Sequence, residues 1–247
     1  MDRALSSVVI IPTTGNPLLT RAVRSVLAQT SPTTCYVVCD GPGFESAVRQ
    51  QLRGLPAHLC VLPQNTGARN DRSGHRIYAA FSHLVEEDQV MFLDEDNTLR
   101  ADHVQRCTAL MAERELDWCY TLRNICEPDG RHICRDDCES LGRWPTYLGS
   151  NLVDTGCFFV KRQNLVQVCQ VWHGDYFADR RFLNALVQHF PRFDCVGHYT
   201  LNYTLSNRER GAGRAFFEEG NAQMRARHGE HLPWRAADCG PEFPDGT

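Results

Sequence analysis

The chain has 247 residues, 42% of them hydrophobic, and a net charge of −4 at pH 7. That length and apolar fraction bury a sizeable core, in one large domain or two small ones. The mild acidity argues against nucleic acid as a partner, because phosphate binding leaves a basic footprint, and no apolar run approaches the roughly 18 residues of a membrane-crossing helix.

The opening "MDRALSSVVIIPTTG" holds only a short apolar run that leads into a strand and a turn, which is not the form of a signal peptide. A cytoplasmic location is therefore expected, and the 12 cysteines are not expected to form a disulfide framework. Several of them (Cys35, Cys39, Cys60, Cys119, Cys157) sit in strand-like runs and read as small buried apolar residues.

"SSVVIIPTTG" is a β-branched run closed by Pro12 and Gly15, as a strand buried on both faces of a parallel sheet requires. Asn16 follows as an N-cap and Pro17 as a first helical residue. Leu18, Leu19, Ala22, Val23, Val26 and Leu27 then recur at helical spacing. "CYVVCDG" predicts a second strand ending at Asp40, "HLCVLPQN" a third, "DRSGHRIYAAFSHL" a helix and "QVMFLD" a fourth strand. This alternation is the pattern of a doubly wound α/β unit, whose ligands bind beyond the carboxyl ends of the strands. Thr13, Thr14, Asp40, Asn65, Asp94 and Asp96 all fall at strand ends, so polar residues gather on that rim.

A helix is predicted over 101–113, and "DWCYTL" as a further strand. Residues 123–150 are rich in loop formers, and long loops in compact domains are functional or ligand-covering. "CFFVKR" predicts a strand, 165–172 and 180–190 helices, "CVGHYTLNYTL" a last strand, and a polar tail runs from Ser206.

"LDEDN" carries the chemistry. Residues two apart on a strand point the same way, so Asp94 and Asp96 are expected to share one site with Glu95 turned aside. Paired carboxylates suit a hard divalent cation such as Mg²⁺ or Mn²⁺ that keeps positions open for water and phosphate. The same acids also suit a solvated turn or the charged start of a helix.

"SVVIIPTTGNPLLTRAVRSVLAQT", followed by "VVCDG", "NTGARN" and "FLDEDN" in order, closely resembles the family-two inverting glycosyltransferases of GT-A fold. Arg21, Ala22, Ser25, Val26, Leu27, Gln29 and Thr30 match the helix motif of that family, and the likeness covers roughly residues 6–205. It implies an α/β chain forming a single GT-A domain, Rossmann-like with a doubly wound mixed sheet. Residues 1–205 would form the domain, about 1–100 binding the nucleotide sugar and 101–205 the acceptor, with 206–247 a tail packing on or covering the site. It implies transfer of a sugar from a nucleotide sugar, a UDP-sugar first, to a hydroxyl of a glycan or other acceptor, with Mn²⁺ or Mg²⁺ as cofactor.

The resemblance also implies residue roles. Asp96 would bind a metal held by the donor diphosphate, and Asp94 the ribose or metal shell. Pro12, Thr13, Thr14, Asp40, Asn65, Arg69 and Glu95 would complete the donor site, although Asp40 also suits a turn residue in "CDGPG" and Arg69 a surface position. Asp179, with Asp175 as the alternative, would be the base at the start of a helix, a position that also suits a capping acid. This stretch has Ala178 where the family commonly has an acid. His198 would add a metal ligand. Asp154, Thr155 and a sugar-stacking Trp144 would line the acceptor pocket, Trp144 being equally suited to a core.

Outside the resemblance, Cys119, Cys126, His132, Cys134 and Cys138 lie close in sequence. Cys126, His132, Cys134 and Cys138 could close a tetrahedral structural Zn²⁺ site, though the C-x₂-C spacing of zinc knuckles is missing and free thiols are the simpler state. Two further functions share parts of this pattern. A sugar-nucleotide pyrophosphorylase would place a Gly-rich loop after the first strand, where "IPTTGNP" has one glycine. A non-catalytic nucleotide-sugar or glycan-binding module would not need to keep Asp94, Asp96, Asp179 and His198 together. No transmembrane segment is expected, so a lipid-linked acceptor would be met at the membrane surface.

Overall fold

The computed structural model describes residues 5–67, 74–174, 177–205 and 212–240. Four parallel strands open the chain: β1 (Ser7–Thr13), β2 (Thr33–Cys39), β3 (His58–Val61) and β4 (Gln89–Phe92). Val8, Val9, Ile10 and Ile11 of β1 are fully buried, as a central strand covered on both faces demands. β1 pairs with β2 on one side and β4 on the other, and β2 with β3, so the order is β3-β2-β1-β4.

Helices α1 (Leu19–Leu27), α2 (Glu45–Gln51) and α3 (His75–Leu84) connect these strands. α1 buries Leu19, Ala22, Val23 and Val26, the stripe its spacing predicts. Asn16 works just ahead of this helix: its Oδ1 accepts the Leu18 N–H at 2.9 Å. The sequence does not announce α2, a seven-residue helix with Val48 as its one buried residue, because so short an element has no apolar period to read.

The sheet continues through β8 (Phe158–Lys161), β6 (Trp118–Cys126), β9 (Phe193–Thr204) and β5 (Thr98–Leu99), with β7 (His132–Arg135) added to β6. β8 runs antiparallel to both β4 and β6, and β9 parallel to β6, giving the mixed sheet the resemblance implies. α4 (His103–Glu113), α5 (Arg162–Val168) and α6 (Ala178–His189) pack around it. The region expected to be loop, 123–150, instead begins with the end of β6 and a hairpin to β7. Asp129-Gly130 supplies its turn, with Gly130 at φ +96°.

A second apolar core lies beyond the first, built on Leu122, Ile125, Tyr199, Phe217, Met224 and Trp234. Part of the segment expected as a polar tail builds this core. Residues Arg214–His228 form α7, which buries Phe217, Gly220, Asn221 and Met224, one stripe at i, i+3, i+4 and i+7. The stripe is narrow and holds a glycine and an asparagine, so composition alone hides it. Gly220 is required there, since a Cβ would lie 2.7 Å from the Cys138 sulfur. The segment after α7 is locked by Asp137, fully buried, which accepts from Trp234 Nε1 at 2.7 Å and from Tyr199 and Arg235.

Candidate functional site

The carboxyl ends of β1, β2 and β4 form one rim, and each brings an acid or hydroxyl to it. At the end of β1, Pro12 is packed under Gly74, where a Cβ would come within 2.7 Å of the proline ring. Thr13 donates its hydroxyl to Glu95, and Thr14 N and Asn16 N donate to the same carboxylate at 3.2 and 2.9 Å. Glu95 therefore ties the end of β4 to the loop after β1. At the end of β2, Asp40 is 3% exposed, and its two oxygens accept the Thr66 and Gly67 N–H groups at 2.7 and 3.1 Å. Asn65 Oδ1 also accepts the Gly67 N–H, at 2.9 Å. Asp40 thus shapes the loop after β3. Arg69, in that loop, lies outside the described residues.

Strand alternation is not what separates the three acids. β4 ends at Phe92, and Asp94–Asn97 form a turn closed by Asn97 N to Asp94 O at 3.1 Å. The turn sends Glu95 back to β1 and leaves Asp94 and Asp96 as neighbours. Tyr78 on α3 donates its hydroxyl to Asp94 Oδ1 at 2.8 Å. Burial, reinforced by the charges of Asp96, Asp154 and Glu95, pushes the Asp94 carboxyl up to about 7 in spite of that bond. Tyr78 is itself held well above the usual phenol range by burial and by Asp94, so it remains a donor. The end of β9 closes the far side: Thr204 donates its hydroxyl to Asp96 O at 2.6 Å and its N–H to Asn97 Oδ1 at 2.9 Å.

Ahead of β8, Asp154 caps the turn Thr155–Cys157 by accepting the Gly156 N–H at 3.0 Å. Its other oxygen pairs with Arg123 of β6. Arg123, 3% exposed, also holds Asp136 at 2.8 Å and Glu139, and lies 4.5 Å above the Tyr203 ring. Asp179 stands in the first turn of α6 and accepts the Arg180 N–H at 2.7 Å. Burial raises its carboxyl, opposed by Arg180 and Arg123, and the charge of Asp154 raises it further. The charge of Asp154 thus acts on both Asp94 and Asp179. Asp175 lies outside the described residues.

Three sequence expectations fail on geometry. His198 does not reach the acids: its Nδ1 lies 3.0 Å from Val196 O and its Nε2 3.1 Å from Asp238. Thr204, which touches the acid turn, is six residues further along β9, roughly 20 Å at strand spacing. Trp144 packs edge-on against Trp234 of the second core, with ring centres 6.2 Å apart, rather than standing free as a sugar platform. The proposed zinc ligands are also dispersed. Cys126 pairs with His132 across β6 and β7, Cys134 pairs with Ile125 on the other side of a bulge, and Cys138 packs against α7. All 12 cysteines are free thiols. Among the described residues no three His, Cys, Asp or Glu side chains form a metal-holding group.

Sequence reading missed Arg123, Glu139, Tyr78 and Tyr203. Arg123 did leave a signal: it is a lone charge inside the otherwise apolar-rich "WCYTLRNIC", buried at all nine positions. A cation there needs several carboxylates from elsewhere.

No family model matches the sequence, and no curated protein does. Solved structures do match. S. aureus TarS 1-349 aligns with a TM-score of 0.62 at 17% identity over 81% of this chain and 60% of that one. The same protein in complex with UDP-GlcNAc aligns with a TM-score of 0.61 at 16% identity over 90% and 65%. Its complex with UDP gives 0.61 and 16% over 82% and 61%. The chain thus spans about three fifths of these structures, and the likeness establishes a shared mixed α/β fold.

Proposed function

We propose that this chain is a metal-dependent inverting glycosyltransferase that moves a sugar from a nucleotide sugar, a UDP-sugar first, to a hydroxyl of a glycan or other acceptor. One observation carries the reading: Asp94 and Asp96 share one turn at the carboxyl rim of the parallel strands, where the Tyr78 hydroxyl holds Asp94 and Glu95 ties the turn to the loop after β1. The fold supports it, since TarS has been solved with UDP-GlcNAc and with UDP.

The residues present fit a divalent cation. Asp94 is crowded by Asp96, Asp154 and Glu95 until its ionisation is disfavoured, and a cation relieves that crowding. Asp96 and Asp94 would hold it, leaving its remaining positions to the donor diphosphate and water. When bound, it stabilises the negative charge that develops on the leaving diphosphate. Tyr78 holds Asp94 in place by its hydroxyl, and Thr204 and Glu95 fix the turn from its two sides. Asp40 and Asn65 shape the loop that would border the base and ribose.

In the transfer, Asp179 takes the proton of the acceptor hydroxyl. The freed oxygen forms a bond to the anomeric carbon from the face opposite the nucleotide. The bond from that carbon to the diphosphate breaks, and the nucleoside diphosphate leaves with the electron pair. A carboxylate raised by burial is a stronger base than a solvated one, which suits this step.

Calorimetric titration of UDP with and without Mn²⁺ tests the reading. Mn²⁺ is expected to tighten UDP binding at least tenfold in the natural chain and by less than twofold in Asp96→Ala. Equal enhancement in both proteins removes Asp96 from the site.

A further inference from the structure

A cavity of about 320 Å³ lies between α1, β5, the end of β9 and the β6–β7 hairpin. Cavities of roughly 300–1,000 Å³ are the size that small-molecule sites take. None of Asp94, Asp96, Asp154 or Asp179 lines this one. Arg21 of α1 is the cation in its wall. Its Nη1 donates to Pro128 O at 2.9 Å and its Nη2 to Thr204 Oγ1 at 3.2 Å. Both acceptors are neutral, and among the described residues no carboxylate comes within ion-pair distance of the guanidinium. Its Nε is buried with no acceptor among those residues, and each terminal nitrogen keeps a further N–H. Pinning the hairpin and β9 needs only the two bonds already made.

The rest of the wall also leans toward donors. Thr98 Oγ1 accepts from Asn202 Nδ2 at 3.2 Å, which leaves its own hydroxyl proton to give. Asn202 Oδ1 is taken by Asn124 Nδ2 at 3.0 Å, and one Nδ2 proton remains. Thr204 is already bonded, between Arg21 and Asp96 O. A cation without an anionic partner, set among hydroxyl and amide donors, is complementary to an oxyanion. Gly130 leaves room beside the guanidinium, since a Cβ there would stand 3.2 Å from Nη1. The acid in the wall, Asp129, is exposed at the hairpin turn, where solvent screens it. Its Oδ1 accepts the Arg131 N–H at 2.9 Å. We infer that this cavity is a second ligand site, separate from the donor acids, that binds a small phosphate monoester or carboxylate through Arg21, Thr98 and Asn202. It uses none of the residues assigned to metal or base, so it stands whether or not the proposed transfer does.

The test titrates the full chain with glucose 6-phosphate, with glucuronate and, as the neutral control, with glucose. Calorimetry reads the affinity, and the ¹⁵N–¹H signal of Arg21 Nε, assigned with Arg21→Lys, reads the place. The expected result is a saturable shift with at least one anion and none with glucose, the tighter anion telling phosphate from carboxylate. Arg21→Gln is expected to weaken that anion about tenfold or more, and Thr98→Val about threefold. Asp129→Asn keeps the turn bond and removes a repelling charge, so it is expected to tighten the anion about twofold or more. An arginine that only pins the hairpin predicts no such gain. Thermal melting checks that each variant folds, and should Arg21→Gln fail, Thr98→Val and Asp129→Asn decide the matter. The Arg21 shift is expected to persist with UDP and Mn²⁺ at saturation. No saturable shift below about 10 mM of either anion, an equal shift with glucose, or a folded Arg21→Gln that binds as well as the natural chain overturns the inference. So does unchanged affinity in both Thr98→Val and Asp129→Asn. Displacement of the anion by UDP also overturns it, because the cavity would then belong to the donor site. A chain that takes the anion at Arg21 but shows no Mn²⁺-dependent UDP binding counts against the proposed function alone.

Discussion

The two halves of the molecule hold their acids by different means. Around β1–β4, Asp40 is held by the backbone amides of Thr66 and Gly67, Glu95 by those of Thr14 and Asn16, and Asp94 by the Tyr78 hydroxyl. These donors are neutral, so they orient the carboxylates without cancelling their charge. Around β6 and β9 the acids meet arginine: Asp136, Glu139 and Asp154 gather on Arg123, and Asp137 on Arg235. The first arrangement leaves carboxylates at the rim whose charge is not cancelled by a cation of the chain, as the proposed metal and diphosphate site requires. The second builds a rigid wall whose charge is largely internal.

The sharpest break of that comparison is at Asp179, which belongs to the second half and is the base in the proposed transfer. Asp179→Asn is expected to lower kcat by about 10²–10⁴-fold while UDP affinity stays within about twofold. Steady-state kinetics and calorimetry check it, and a loss below tenfold returns Asp179 to a helix-capping role. Next comes the arginine-held acid far from the rim. Asp137→Ala strands Arg235 and the Trp234 and Tyr199 donors, and should cost about 3–5 kcal/mol in urea unfolding with UDP binding per folded molecule unchanged.

The third effect is a pH slope. With its carboxyl raised from 3.8 to about 7, Asp94 is favoured in its neutral form by the fold. Its stabilising contribution is complete below about pH 4 and is lost as pH rises through 7. Melting of the metal-free protein from pH 4 to 8 should therefore show Asp94→Asn gaining on the natural chain as pH rises. Parallel curves would mean that Asp94 is not crowded. The smallest effect is at Glu95. Glu95→Ala should cost about 2 kcal/mol of stability, less than the arginine-held Asp137, yet weaken UDP binding at least tenfold by freeing the β1 loop. A variant with full UDP affinity would reduce Glu95 to a structural tie.

Much of this was legible in the chain. The four parallel strands, α1, the acid motif and the helix bearing Asp179 each announce themselves through local apolar period or a short motif. Asp94 and Asp96 were named from the acid motif and Asp179 from the family resemblance, and the structure puts the first two in one turn. β5 and β7 are too short to show a period, and α7 has a stripe diluted by Gly220 and Asn221. His198 and Trp144 mislead because a histidine or tryptophan late in a chain suits a ligand site and a core equally, and the partners that decide, Asp238 and Trp234, arrive from the C-terminal segment.

By itself the sequence determined the alternation of strand and helix and which acids end β4, because these depend on contacts between near neighbours. Tertiary structure alone decided what each acid does. Glu95 turns to β1 because 82 residues of chain bring the Thr13 hydroxyl beside it. Arg123 is tolerated in a buried strand because Asp136, Glu139 and Asp154 converge on it from 13, 16 and 31 residues away. A buried charge is stable only with its partners in place, and those partners are chosen by the fold rather than by sequence proximity.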